Sequence, residues 1–348
     1  MSQRGCRVTV LAPAKAGARD TDGPYAVRWF PWAGSSKALV DFKLSSPADL
    51  RRTGSLLRSG ERALRRLIVE EKTNTCLAMW VIPAGFVAWR VRSLAPYSVW
   101  ALGSDIHTWA KRPIVGRLIR TVITGASRRF ADGIELGAEV ERISGMNCQF
   151  LPTSRRLPKP APLPHPLGSG VNFLFVGRLE SVKGADVLVE AMIRVLSGGI
   201  DARLTMCGAG TMDGLLRRRV ESVGLGDRIT IMPAQPAAVV AGYMHACDCL
   251  VVPSRMESIP LVFSEALQAG IPLLVTDVGD MGVLARRHGL GRPVPPADPD
   301  ALSSAIQDFV RRLDEQRRGF ARARQSLMSI FDIDAAAERY LTAIESPR

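Results

Sequence analysis

The sequence predicts an α/β protein built from two doubly wound parallel-sheet domains with a ligand cleft between them. Three observations carry this reading. From residue 171 onward, short apolar runs alternate with segments of helical length, as β-α units on a parallel sheet do. Residues 155–170 hold Pro158, Pro160, Pro162, Pro164 and Pro166, which forbid helix and favour an extended, semi-rigid connector. A length of 348 residues accommodates two such domains. The expected division is a first domain over 1–154, a linker over 155–170, a second domain over 171–330 and a C-terminal helical segment over 331–348.

The first domain opens on an apolar strand, residues 7–13, with a second short strand at 26–30. Residues 47–71 read as one or two basic amphipathic helices. Leu56, Leu57, Leu64, Leu67 and Ile68 form the apolar face, and Arg51, Arg52, Arg58, Arg62, Arg65 and Arg66 the charged one. That charged face reads either as ordinary solvated surface or as an interfacial membrane face. Further strands are expected at 76–83, 97–102 and 131–134, and helices at 84–91, through Leu118, Ile119 and Val122, and at 139–143. In the second domain, strands are expected at 171–176, 202–207, 228–232, 249–252 and 272–276. Helices fall at 184–196, 212–223, 239–246, after Pro260, and at 332–344.

The stretch from Pro253 to Pro272 carries the most chemistry. The buried strand Cys249-Leu-Val-Val252 leads into a loop with Glu257. Pro260 suits the first turn of a helix, and Gly270 suits its C-terminal end. Glu265 lies inside that helix. The free N–H groups at the helix start are a ready anion site. A second cluster, Gly177-Arg178-Leu179 and Lys183-Gly184, follows the strand 171–176. Its glycines allow tight turns, while Arg178 offers a fork and Lys183 a point charge to phosphate oxygens. Alone, each of these side chains reads as solvated surface. Together, in this order, they read as one site.

Composition narrows the class. Hydrophobic residues make up 47% and charged residues 23%, ordinary for a globular protein. The six cysteines contain no C-x-x-C pair and read as reduced thiols of a cytosolic protein. Val8-Thr-Val-Leu-Ala12 is too short for the apolar core of a leader. The uncharged run 73–89 is broken by Pro83 and Gly85. Gly208-Ala-Gly210 is not G-x-G-x-x-G, because position 213 is Asp213; this argues against a dinucleotide oxidoreductase. Asp298-Pro-Asp300 reads as a helix cap rather than a metal motif. His107, His165, His245 and His288 lack metal-ligand spacing. No metal or cofactor is expected. Net charge is +13, and residues 1–168 carry 26 Lys and Arg against 12 Asp and Glu. That +14 balance attracts anionic surfaces, although the basic-aromatic modules of nucleic-acid binders are missing.

The pattern of strand, Pro-Ser, Glu257-x7-Glu265-Ala and Gly-Ile-Pro, preceded by Gly177-Arg178-Leu179-x-x-x-Lys183-Gly184, resembles the retaining GT-B glycosyltransferases of family four. The likeness is close over 171–345 and loose over 7–154. It implies sugar transfer, with retention of configuration, from a nucleotide-diphospho-sugar to a glycan or lipid-linked acceptor. Cell-surface polysaccharide or glycolipid synthesis at the inner face of the cytoplasmic membrane would follow. The alternative is an inactive nucleotide-sugar-binding scaffold.

By resemblance, Arg178 and Lys183 neutralise the donor diphosphate and Glu257 holds the sugar. Glu265 accepts from the ribose hydroxyls. Ser258, Ile259, Pro260, Leu261 and Val262, with Gly177, complete the donor contacts. Gly103, Ser104 and Asp105 resemble the family's G-x-D element, with His107 as an acceptor-side candidate. The final helix is expected to return to the first domain. Two departures stand out: Ser258-Ile-Pro-Leu261 replaces a glycine-rich element, and Pro152-Thr-Ser-Arg155 replaces Pro-Asn-Gly. Residues 1–8 resemble the end of a helix with Gly5 at its C-terminus, so a preceding strand–glycine-loop–helix unit is expected to be missing. That would leave a position open beside strand 7–13.

Overall fold

A computed structural model describes residues 1, 5–34 and 46–346. The chain divides into two compact units, Met1–Leu151 with Ala336–Arg348, and Pro152–Ala335.

The second unit is a five-stranded parallel sheet. Its strands are β7 (Val171–Val176), β8 (Ala202–Cys207), β9 (Ile229–Met232), β10 (Cys249–Val252) and β11 (Leu273–Val275), in the order β11-β10-β7-β8-β9. Helices α5 (Ala185–Ser197), α6 (Asp213–Ser222), α7 (Ala237–Ala246), α8 (Leu261–Ala269) and α9 (Gly279–His288) alternate with the strands, and α10 (Pro299–Arg311) and α11 (Leu313–Phe331) follow. The core gathers Phe173, Leu188, Met192, Leu204, Met206, Ile306 and Phe309, all essentially sealed from solvent. Strands buried on both faces are mostly apolar, which is why 171–176, 202–207 and 249–252 were readable to the residue. Asp298 caps α10, its Oδ1 accepting from the N–H groups of Asp300 (3.0 Å) and Ala301 (2.9 Å). Gly270, at φ 78°, ends α8 in the left-handed conformation expected there. Pro260 occupies the N-cap of α8 rather than its first turn.

The first unit holds two parallel sheets. In one, β1 (Thr9–Pro13) pairs with β2 (Ala26–Phe30). The other runs β3 (Cys76–Met79), β4 (Tyr97–Ala101), β5 (Arg128–Ala131), β6 (Gln149–Phe150). Among the described residues, β1 pairs with β2 alone and β3 with β4 alone. Gly5 sits at φ 81°; residues 2–4, the rest of the expected helix end, lie outside the described residues. Residues 47–71 form one helix, α1 (Pro47–Glu71), whose Leu56 and Ile68 are buried against the unit. Helices α2 (Phe86–Arg90), α3 (Pro113–Gly125) and α4 (Ile134–Ser144) complete the unit with α12 (Ile333–Glu345), the last helix of the chain. Tyr340 of α12 packs its ring 5.4 Å from that of Phe130.

Two expected strands are misplaced. The strand expected at 76–83 stops at Met79, because Trp80 turns to φ 68° and Val81 donates its N–H to Asp105 Oδ2 at 2.8 Å. The strand expected at 131–134 runs over Arg128–Ala131 instead. Arg129 is buried there and donates to the carbonyls of Ile123 (3.2 Å) and Ala126 (2.7 Å). Its charge is thus carried by helix-end oxygens rather than by solvent.

Candidate functional site

Strand order places the site. In the second unit, β7 lies between β8 and β10, so the connections leaving β7 and β10 depart in opposite directions across the sheet. Ligands of open α/β sheets bind beyond the carboxyl ends of strands at such a switch point. The loop after β7 carries Gly177, Arg178 and Lys183, and the loop after β10 carries Glu257. These are the two loops the sequence marked.

The structure joins them directly. Lys183 Nζ and Glu257 Oε2 form an ion pair between part-buried side chains. Arg178 is exposed, and its charge helps hold the Glu180 carboxyl down. No side chain caps α8, so the N–H groups of Leu261 and Val262 are open at the helix start, next to Ser258, Ile259 and Pro260. Glu265 lies one turn further along α8. It is only 1% exposed, with Oε1 paired to Arg155 and Oε2 buried without a partner. Two cations, a helix start and two carboxylates thus share one end of one sheet. This arrangement suits an anionic ligand with hydroxyls: charge-assisted bonds for phosphates, acceptors for sugar hydroxyls.

Several supports escaped sequence reasoning. Arg255 forks onto Asp186, with Nη1–Oδ1 and Nη2–Oδ2 both at 2.7 Å, and its N–H donates to Val182 C=O at 2.9 Å. This clamp ties the Glu257 loop to the Lys183 turn. Burial pushes the Asp186 carboxyl up, but Arg255 outweighs it and holds the group below its ordinary value. Thr276 Oγ1 donates to Ser254 C=O at 2.7 Å. Glu180 accepts from Thr211 Oγ1 at 2.6 Å and Thr211 N–H at 2.9 Å, and these bonds hold its carboxyl below the usual range.

Close backbone approach explains the glycines. At Gly184, φ 67°, a methyl would come within 1.9 Å of Pro253 C=O. At Gly279, one would lie 2.1 Å from Glu257 C=O. Gly208, outside any dinucleotide motif, leaves room for the carbonyl of Gly177, which a methyl would approach to 1.8 Å.

The first-unit candidates sit otherwise. Asp105 is 1% exposed. Its carboxylate accepts from Val81 N–H and from Ile106 N–H at 3.2 Å, and burial raises its pKa despite these bonds. Its polar atoms serve the backbone of the turn that follows β3. Gly103 takes φ 110°, while Ser104 and His107 are exposed.

Comparison with known proteins gives a consistent picture. Residues 168–326 match the family model described as glycosyl transferases group 1. The D-inositol 3-phosphate glycosyltransferase of Segniliparus rotundus is 31% identical over 173 residues, which are 49% of this chain and 38% of that protein. The chain thus aligns with well under half of that relative's length. Among solved structures, the sucrose-phosphate synthase of Thermosynechococcus elongatus superposes with a TM-score of 0.70 at 18% identity, covering 97% of this chain and 98% of the other. Anabaena HepE in complex with UDP gives 0.72 at 14% identity, covering 98% and 100%. At such identities the structural likeness speaks to fold alone.

Proposed function

We propose, from the match of residues 168–326 to the model of glycosyl transferases group 1, that this chain transfers a sugar from a nucleotide-diphospho-sugar to a glycan or lipid-linked acceptor, with retention of anomeric configuration and without a metal. The observation that carries the reading is the Lys183–Glu257 pair at the switch point beside the open start of α8. As the sugar departs from the donor, negative charge grows on the diphosphate. Arg178, Lys183 and the N–H groups of Leu261 and Val262 meet that charge. Glu257 orients the sugar through its hydroxyls, held close enough to Lys183 that sugar and leaving group are gripped at adjacent points. Glu265 accepts from the ribose. No covalent carboxylate nucleophile is needed, because the acceptor attacks from the face the leaving group vacates.

The acceptor side belongs to cell-surface polysaccharide or glycolipid synthesis, with the chain bound peripherally to the inner face of the cytoplasmic membrane. Support comes from the positive excess over residues 1–168 and from one surface of the first unit. Ile114 is 84% exposed at the start of α3, among the exposed side chains of Lys111, Arg112, Arg117 and Arg120. Apolar tip and basic rim together suit an anionic interface. Among the described residues, no helix is long and apolar enough to cross a membrane.

The test is a panel of nucleoside diphosphates and their sugars, read by thermal shift and then by turnover. At least one should stabilise the protein and be consumed. Glu257→Gln should abolish most turnover while leaving nucleoside-diphosphate affinity within about twofold. A chain stabilised by no nucleotide, or a Glu257→Gln variant with full turnover, would sink the reading.

A further inference from the structure

Glu265 poses a question that its expected role leaves open. Its carboxylate is sealed in the second unit at 1% exposure, yet only Oε1 has a partner. Leaving a buried acceptor unpaired costs about 1–3 kcal/mol. Such an atom is expected where a ligand supplies the missing donor.

The partner on Oε1 comes from outside the motif. Arg155 lies in the segment between β6 and β7, 110 residues away in sequence, and its side chain is about half exposed. The same segment is lashed to α8 one turn further on. Gln268 Oε1 accepts from Leu157 N–H at 2.8 Å, and Gln268 Nε2 donates to Arg155 C=O at 2.7 Å. Glu265 and Gln268, three residues apart, share a helix face. The backbone of Arg155 is therefore fixed against the helix whose glutamate its side chain grips. A guanidinium donates only and cannot accept. By occupying Oε1 it leaves Oε2 as the one carboxylate oxygen that lacks a donor.

We propose that Arg155 is a positioning residue: it holds the Glu265 carboxylate in one orientation, with Oε2 presented to a ribose hydroxyl, and so sets the preference for ribose over deoxygenated sugars in the bound nucleotide. The proposal rests on the donor reading given above. It also explains why a cation at position 155 is compatible with a site for an anionic ligand, since its charge is matched by Glu265.

The experiment measures binding of the full chain to the nucleoside diphosphate that stabilises it best, UDP being the first tried, and to the 2′,3′-dideoxy counterpart. Wild type should prefer the ribose form by at least tenfold. R155A should lose most of that preference, with ribose-form affinity falling roughly tenfold and dideoxy affinity little changed. R155K, which keeps a cation, should restore part of it. Equal weakening of both ligands in R155A would mark a merely structural role. Unchanged or tighter ribose-form binding would mean that Arg155 obstructs Glu265 or ignores it. Either result overturns the proposal while the donor reading stands. Wild type that binds no nucleoside diphosphate overturns the donor reading, and this inference with it.

Discussion

Lys183 and Arg178 differ in a way that sets their expected contributions. Lys183 is already engaged with Glu257, so a phosphate must share it. Arg178 is exposed, with only its charge felt by Glu180, so a phosphate meets it without displacing an ion pair like that of Lys183. Both substitutions to alanine should weaken nucleoside-diphosphate binding by about 1.5–3 kcal/mol, the range for hydrogen bonds to charged groups. The two should differ in turnover. Lys183→Ala also frees Glu257, so it should lower kcat beyond its effect on affinity; Arg178→Ala should act mainly through the diphosphate. Calorimetry paired with steady-state kinetics checks this, and unchanged affinity in both variants would remove the phosphate assignment. The same scale shows where sequence reading stops. Glu257 and Lys183 were legible because each stands in a strand-loop-helix pattern whose order constrains it. Arg255 with Asp186, and Arg155 with Glu265, were not. They pair across 69 and 110 positions, and no local spacing announces a contact of that kind.

At the scale of elements, the Arg255–Asp186 clamp joins the turn before α5 to the loop before α8. Its contribution has a pH signature. Asp186 is held below its ordinary value of 3.8 in the folded chain, so the unfolded chain takes up its proton first as pH falls. The stability it confers is complete above that ordinary value and drains away as pH drops below it. A melting-temperature gap between wild type and Asp186→Asn, worth about 1 kcal/mol for a partly exposed pair, should hold steady from neutrality to about pH 5 and close in stronger acid. A gap independent of pH would mean that the clamp stabilises through shape rather than charge. Legibility at this scale follows burial. Strands β7, β8 and β10 announced themselves because both faces are covered. Strand β5 did not, because Arg128 and Arg129 look like surface until their oxygen partners are known. Asp105 shows the same limit: sequence alone does not tell a carboxylate that serves the backbone, as this one does at Val81, from one facing a ligand.

For the whole molecule, charge is the large-scale feature. The excess over residues 1–168 and the exposed Ile114 tip predict co-sedimentation with vesicles containing anionic lipid, falling steeply between low and physiological salt. Ile114→Asp should reduce it several-fold without changing nucleotide affinity. Equal binding to neutral vesicles, or none to either, would refute membrane attachment through this surface. Alpha-helix α12 has a different consequence. It belongs to the first unit although it is the last helix of the chain, and Arg128 donates to carbonyls of Ala343 and Ser346 while Phe130 packs on Tyr340. In chain order the second unit is therefore an insertion, and the two units cannot be separated by a single cut. A fragment ending at Leu151 would bare an aromatic face of its own sheet and cost Arg128 its Ala343 and Ser346 acceptors, whereas 152–335 carries its sheet, its core and every residue of the candidate donor site.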